Sequence, residues 1–245
     1  MTNTMKKKYM KTTKHALLVV TFLFLGMGQG VVYGDSQAGF DAANRGDFAT
    51  ALREWKPLAE AGDANAQYNL GVMYSKGEGV LQDYKEAVKW YLLAAEQGDA
   101  NAQYNLGVMY RKGEGVLQDD KEAVKWYLLA AEQGKANAQY NLGLMYRKGE
   151  GVLQDDKEAA KWYLLAAEQG YASAQYNLGL MYAKGEGVLQ DDVKAHMWWN
   201  IAASLGGHET AAENRGIIEK RMTPSQREKA QEMARRCVEK NYKGC

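Results

Sequence analysis

The side chains best suited to chemistry are scarce in this sequence and poorly spaced for it. Only three histidines occur among 245 residues. Two of them, His196 and His208, lie twelve residues apart, and His208-Glu209 is not followed by a second histidine, so the two-turn HExxH zinc arrangement is absent. No Ser-x-x-Lys, Ser-Asp-Asn or Lys-Thr-Gly occurs, which removes the serine nucleophile set of penicillin-recognising enzymes. Gly77-Glu78-Gly79 lacks the Lys-Ser/Thr that a phosphate loop requires, and its recurrence marks a turn. The pairs Asp119-Asp120 and Asp155-Asp156 offer carboxylates for a weakly held cation, but helix capping accounts for them better. Cys237 and Cys245 have neither CxxC spacing nor a histidine nearby. In an oxidising compartment such a close pair reads as one local disulfide, and closing its short loop stabilises by about 2–3 kcal/mol. The expectation is therefore no catalytic residue, no metal site, no cofactor and a structural staple at Cys237–Cys245.

What must position any functional residue is a repeat. Ala64–Asp99 and Ala100–Lys135 differ at only three positions, Ser75/Arg111, Tyr84/Asp120 and Asp99/Lys135, and the next window, Ala136–Tyr171, again differs at three. A fourth copy, 172–207, keeps its first half and diverges in its second. Tyr68, Tyr104, Tyr140 and Tyr176 stand 36 apart, as do Gly71, Gly107, Gly143 and Gly179, and Trp90, Trp126, Trp162 and Trp198. Ala66, Leu70 and Tyr74 recur at helical spacing, giving a first helix with one apolar face. Glycine inside a helix costs about 1 kcal/mol relative to alanine, so Gly71 and its counterparts predict close approach of a neighbouring helix. Gly77 ends the first helix in the left-handed C′ conformation. Asp83 with Glu86 three residues on opens the second helix as a capping-box arrangement, repeated at Asp119/Glu122 and Asp155/Glu158. Ala87, Trp90, Tyr91, Ala94 and Ala95 form its inward face. Two short helices cannot bury these faces alone, so repeats must stack.

The string Ala66-Gln-Tyr-Asn-Leu70-Gly71-x-x-Tyr74-x-x-Gly77-x-Gly79-Val80-x-x-Asp83-x-x-x-Ala87-x-x-Trp90-Tyr91-x-x-Ala94-Ala95-x-x-Gly98 resembles the Sel-1-like repeat, a relative of the tetratricopeptide repeat. The resemblance implies an all-α, right-handed α/α superhelical solenoid whose concave face is lined largely by the first helix of each pair. It also implies an adaptor or scaffold role in multiprotein complexes, with envelope and host-interaction functions among exported bacterial members. One cysteine-rich branch includes members described as penicillin-binding or penicillin-hydrolysing. That enzyme reading, on cell-wall peptides or β-lactams, is the alternative, and the central repeats here depart from that branch in containing no cysteine.

The expected organisation is a signal peptide at 1–34, an N-terminal capping pair at 35–63, repeats at 64–99, 100–135, 136–171 and 172–207, and a C-terminal capping pair at 208–245, about six helix pairs in all. Met1–His15 carries five lysines and no acid, and the apolar run Ala16–Leu25 precedes small residues. These are the marks of a cleaved secretory signal, with Asp35 as the first mature residue. Loss of those lysines takes the basic residues from 31 to 26 against 30 acids. No basic block remains to favour nucleic acid. A periplasmic or secreted monomer without membrane insertion after cleavage is expected, with a protein or peptide as its partner.

On a helical wheel the first helix turns Asn65, Asn69, Val72 and Lys76 away from its core face, with Tyr68 at the edge. Stacking lines up Asn69, Asn105, Asn141 and Asn177 beside Tyr68, Tyr104, Tyr140 and Tyr176. Asparagine amides can hold a peptide backbone through paired donors and acceptors, and tyrosines add apolar area with a polar tip. Arg111 and Arg147 add local positive charge. The competing expectation is that the tyrosines are inter-repeat core and the asparagines bond locally.

Overall fold

A computed structural model describes residues 34–207 and 209–245 of the chain. The signal-peptide reading of 1–34 falls outside these residues except for Gly34, and His208 also lies outside them.

Twelve helices and no strand occur among the described residues: α1 (Ser36–Asn44), α2 (Phe48–Glu60), α3 (Ala64–Lys76), α4 (Tyr84–Glu96), α5 (Ala100–Lys112), α6 (Asp120–Glu132), α7 (Ala136–Lys148), α8 (Asp156–Ala167), α9 (Ala172–Lys184), α10 (Asp192–Gly206), α11 (Glu209–Glu219) and α12 (Pro224–Glu239). From α1 to α11 each helix packs against the next in the chain, giving an all-α solenoid.

Local chemistry sets the helix ends. Asp83, Asp119 and Asp155 accept backbone hydrogen bonds from the first turns of α4, α6 and α8. Only half of the expected capping box forms there, because Glu86, Glu122 and Glu158 instead pair with Lys89, Lys125 and Lys161 one turn on. The full reciprocal box appears at Thr223 and Gln226, with Pro224 in the first turn of α12. Asp63 and Asp99 cap α3 and α5, whereas Lys135 and Tyr171 occupy the same position before α7 and α9 and make no side-chain cap. Gly77 closes α3 in the left-handed region at φ 73°. Pro57 lies in the last turn of α2. The hydrogen bond it removes would have gone to the carbonyl of Arg53, an exposed residue that water can reach.

In the central repeats the buried clusters bridge the second helix of one repeat and the first helix of the next. One cluster joins Ala87, Tyr91 and Ala94 of α4 to Ala102, Leu106 and Met109 of α5. The next joins Ala123, Tyr127 and Ala130 of α6 to Ala138, Leu142 and Met145 of α7. Inside each repeat the hairpin closes through the recurring glycine. A Cβ on Gly107 would lie 2.5 Å from the Tyr127 ring. The same clash would arise at Gly71 with Tyr91, Gly143 with Tyr163 and Gly179 with Trp199.

The C-terminal end departs from this plan. α12 packs against α10 rather than forming a hairpin with α11. Arg215 stands in α11 where the repeats place their glycine, 36 residues after Gly179, so no second helix can approach that face closely. Beyond α12 the tail turns through Asn241 and Tyr242, both at positive φ. Tyr242 lies against Gly170, and the Gly244 amide donates to Glu168 Oε1 at 2.9 Å, across 76 residues of sequence. Cys237 and Cys245 are joined in a disulfide.

Candidate functional site

The residues with binding potential gather along the seams between repeats. Tyr68, Tyr104 and Tyr140 are half-buried, with ring centroids 5.9, 5.8 and 5.9 Å from those of Tyr91, Tyr127 and Tyr163 respectively. They pack against the inter-repeat clusters and keep one edge accessible. Tyr140 also packs on Tyr171 at 5.1 Å. Tyr176 differs, because Trp199 replaces the second-helix tyrosine and donates from Nε1 to the Tyr176 carbonyl at 3.1 Å.

The asparagines divide into two groups. Asn105 and Asn141 are partly exposed. The Asn105 amide faces the hydroxyls of Tyr68 and Tyr91, and Asn141 faces that of Tyr127. Asn69 and Asn177 are only 8% exposed. A wheel drawn on one helix turns Asn69 outward; the neighbouring pair covers it. Its Nδ2 has no hydrogen-bond partner. Trp55 stands there in place of the second-helix tyrosine, 36 residues before Tyr91, and offers no hydroxyl.

Arg111 and Arg147 cross the seam to the turn of the following repeat, pairing with Glu150 at 3.5 Å and Glu186 at 3.2 Å. Lys148 and Lys184 reach the same two glutamates, so two cations share each carboxylate and a net positive charge stays at each of these seams. Both guanidiniums remain partly exposed. Burial pushes the Tyr91 hydroxyl up to about 12, opposed by its bond with Ser75, and raises Tyr127 and Tyr163 further. These phenols therefore stay neutral; the Tyr91 hydroxyl meets Ser75, whereas that of Tyr163 is buried without a partner.

A second recurring device escaped sequence reasoning. Gln67, Gln103, Gln139 and Gln175 are buried, and their Nε2 atoms donate to the carbonyls of Ala59, Ala95, Ala131 and Ala167. The Oε1 atoms of the first three accept from Gln97, Gln133 and Gln169 at 2.7 Å. Each clasp ties a first helix to the loops on both sides. Its signal was available: a polar residue follows the core position Ala66 in every copy, on a helix whose other polar positions include charges.

Ordered seams of packed tyrosines, with amides and guanidiniums along their open edge, define a class: an α/α repeat solenoid with a regular, hydrogen-bonding surface. The chain belongs to the Sel1 repeat family, whose repeat matches residues 64–99, 100–135, 136–171 and 172–207. Sel1-repeat proteins are generally protein-interaction scaffolds without catalytic function.

Two of the solved structures similar to it share more than a third of its residues in the aligned region. One is c5321, a protective antigen present in uropathogenic Escherichia coli strains displaying an SLR fold, at 37% identity and TM-score 0.77 over 85% of this chain and 46% of that one. The chain thus spans about half the length of that relative. The other is a Sel1 repeat protein from Oxalobacter formigenes, at 37% identity and TM-score 0.68 over 70% of this chain and 71% of that one. No curated protein matches the chain. No helix of the described residues is long and apolar enough to cross a membrane, and the disulfide fits an extracytoplasmic protein.

Proposed function

We propose that this chain is an exported, non-catalytic adaptor that holds a protein or peptide segment along the face formed by the first helices of its repeats. The observation that carries the reading is the open edge of the central seams. There, Asn105 and Asn141 stay partly exposed next to Tyr104 and Tyr140, with Arg111 and Arg147 at the end of the same helices. An amide that offers both a donor and an acceptor suits an extended backbone, and solenoid repeats present such groups at regular intervals. The burial of Asn69 and Asn177 supports a binding segment over the two middle repeats rather than along all four. Export rests on the lysine-rich and apolar N-terminal segment, read as a signal removed before Asp35, and the proposed adaptor is a monomer.

The test is affinity capture from an envelope extract with the full chain and with its Asn105→Ala/Asn141→Ala double variant. A protein recovered by the native chain and lost by the variant, at unchanged melting temperature, supports the adaptor. Equal recovery by both, or loss only alongside a lowered melting temperature, argues against a binding role for these amides.

A further inference from the structure

The chain's own tail supplies an example of what its repeats can hold. The octapeptide Tyr-Leu-Leu-Ala-Ala-Glu-Gln-Gly ends the second helix of three repeats unchanged, at Tyr91–Gly98, Tyr127–Gly134 and Tyr163–Gly170. Each copy closes in the same way. The amides of Gly98, Gly134 and Gly170 donate to the carbonyls of Ala95, Ala131 and Ala167, and the next amide along donates to Ala94, Ala130 and Ala166 respectively. All three glycines lie at positive φ, 96°, 87° and 80°. At the third copy the tail is seated on this loop. The Tyr242 ring comes within 3.1 Å of where a Cβ on Gly170 would lie, and the Gly244 amide donates to Glu168 Oε1 at 2.9 Å.

The first two copies present the same groups uncovered. Chain neighbours aside, a Cβ on Gly98 or Gly134 would meet no described atom within 4 Å. Glu96 and Glu132 are exposed where Glu168 is half-buried, and no hydrogen bond or ion pair with a described residue engages their carboxylates. The residues after the two glycines are engaged elsewhere: Asp99 caps α5, and Lys135 Nζ donates to Asn101 Oδ1 at 2.6 Å. Leu93, Leu129 and Leu165 are equally exposed, at 43–44%. The tail thus leaves the leucine of its own copy uncovered, and the seat is the loop end itself. Each loop is already fixed by its own backbone hydrogen bonds, which lowers the entropic cost of docking.

We propose that Glu96–Gly98 and Glu132–Gly134 are seats for a turn of a partner protein that carries an aromatic side chain. The ring lies on the glycine, and the backbone amide two residues on donates to the glutamate, as Tyr242 and Gly244 do at the third copy. A carboxylate acceptor makes that hydrogen bond charge-assisted, one of the stronger kind. A second copy's tail is a poor occupant, because its disulfide to Cys237 and the packing of α12 on α10 hold each tail on its own third seat. Two seats on neighbouring repeats let a partner with two such turns gain from effective concentration. Both lie at the ends of second helices, apart from Asn105 and Asn141 on the first, and do not depend on the adaptor reading of that face.

The test is fluorescence anisotropy, titrating the full oxidised chain against a labelled, disulfide-closed peptide with the sequence of Cys237–Cys245. The native chain should bind it. The Glu96→Ala/Glu132→Ala variant should bind about tenfold more weakly at unchanged melting temperature, because both side chains are exposed and unpaired. A peptide carrying Tyr242→Ala should not bind. The Asn105→Ala/Asn141→Ala variant should bind like the native chain, which keeps failure here distinct from failure of the adaptor reading. In the full chain, Tyr242→Ala vacates the third seat and should raise the peptides bound per chain from two to three in equilibrium dialysis. Equal binding by native chain and glutamate variant, or none by either, overturns the proposal. So does binding that appears only in the chain carrying Tyr242→Ala, which would assign the seat to the tail alone. Self-association of the native chain that Glu96→Ala/Glu132→Ala abolishes would also overturn it, by making a second copy the occupant.

Discussion

The central junctions and the C-terminal end close their seams with different chemistry. In the central copies the means are identical from one to the next: a tyrosine over a glycine inside each repeat, and between repeats an alanine-rich interface and a pair of glutamines. In the fourth repeat tryptophan replaces tyrosine over Gly179. Leu205 occupies the sequence position of Gln97, Gln133 and Gln169, so Gln175 keeps its bond to Ala167 but has no glutamine to receive. Beyond it the chain relies on a helix laid against α10, a disulfide and a buried polar contact. An interface between like units can repeat one solution. A terminus has no next unit and must satisfy its exposed side from other residues.

The strongest way to break this comparison is to remove one central aromatic. Tyr127→Ala leaves a cavity against Gly107 and in the α6–α7 cluster, and should cost about 3–5 kcal/mol. The measurement is a urea titration with hydrogen exchange. Protection should fall on both sides of the α6–α7 seam, whereas a loss confined to α6 would mean that the repeats do not share their cores. A smaller effect, about 2–3 kcal/mol, is expected on reducing Cys237–Cys245. Exchange should rise in α12 and the tail while the central repeats keep their protection. A reduced chain that melts as one lowered transition would show that the end and the centre form a single cooperative unit.

The smallest effect sharpens the contrast through pH. His196 is 1% exposed, with Nε2 2.7 Å from Glu219 Oε1 and Nδ1 buried without a partner. Burial lowers its pKa below the ordinary 6.5, and the Glu219 contact opposes this without cancelling it. As pH falls through about 6.5, the unfolded chain takes up this proton before the folded one, so stability is full above that value and declines toward the folded pKa. Melting at pH 7.5 and 5.5 should show a decline that His196→Gln reduces. An unchanged decline in that variant would assign it to carboxylates instead.

The architecture was legible because the repeat supplies its own internal check: each second-helix start at an Asp and each first-helix stop at a Gly recurs 36 residues on. The close approach at Gly71 followed from the cost of glycine within a helix. What could not be read depends on contacts between units. A wheel on α3 turns Asn69 outward because it contains no neighbouring pair to bury it. Glu86 has two possible partners, and sequence alone does not choose Lys89 over the N-cap amide. That Arg111 and Arg147 meet Glu150 and Glu186 could not be read either, because those glutamates lie on the turn of the next repeat. The expected C-terminal capping pair says nothing of which helix α12 packs on, and α10 is its neighbour in the fold.

The glutamine clasps also bear on how such a chain can change in length. Because Gln103 and Gln139 meet the same partners in the same geometry, excising residues 100–135 would bring Gln139 to the carbonyl that Gln103 now occupies, with no new side chain needed at the join. Unequal recombination between the near-identical coding segments could thus add or remove whole copies without creating a foreign junction. The tail, which touches Glu168 and Gly170 as well as α10, ties the third and fourth copies to the terminus. Copy number is free to vary upstream of that anchor and held constant within it.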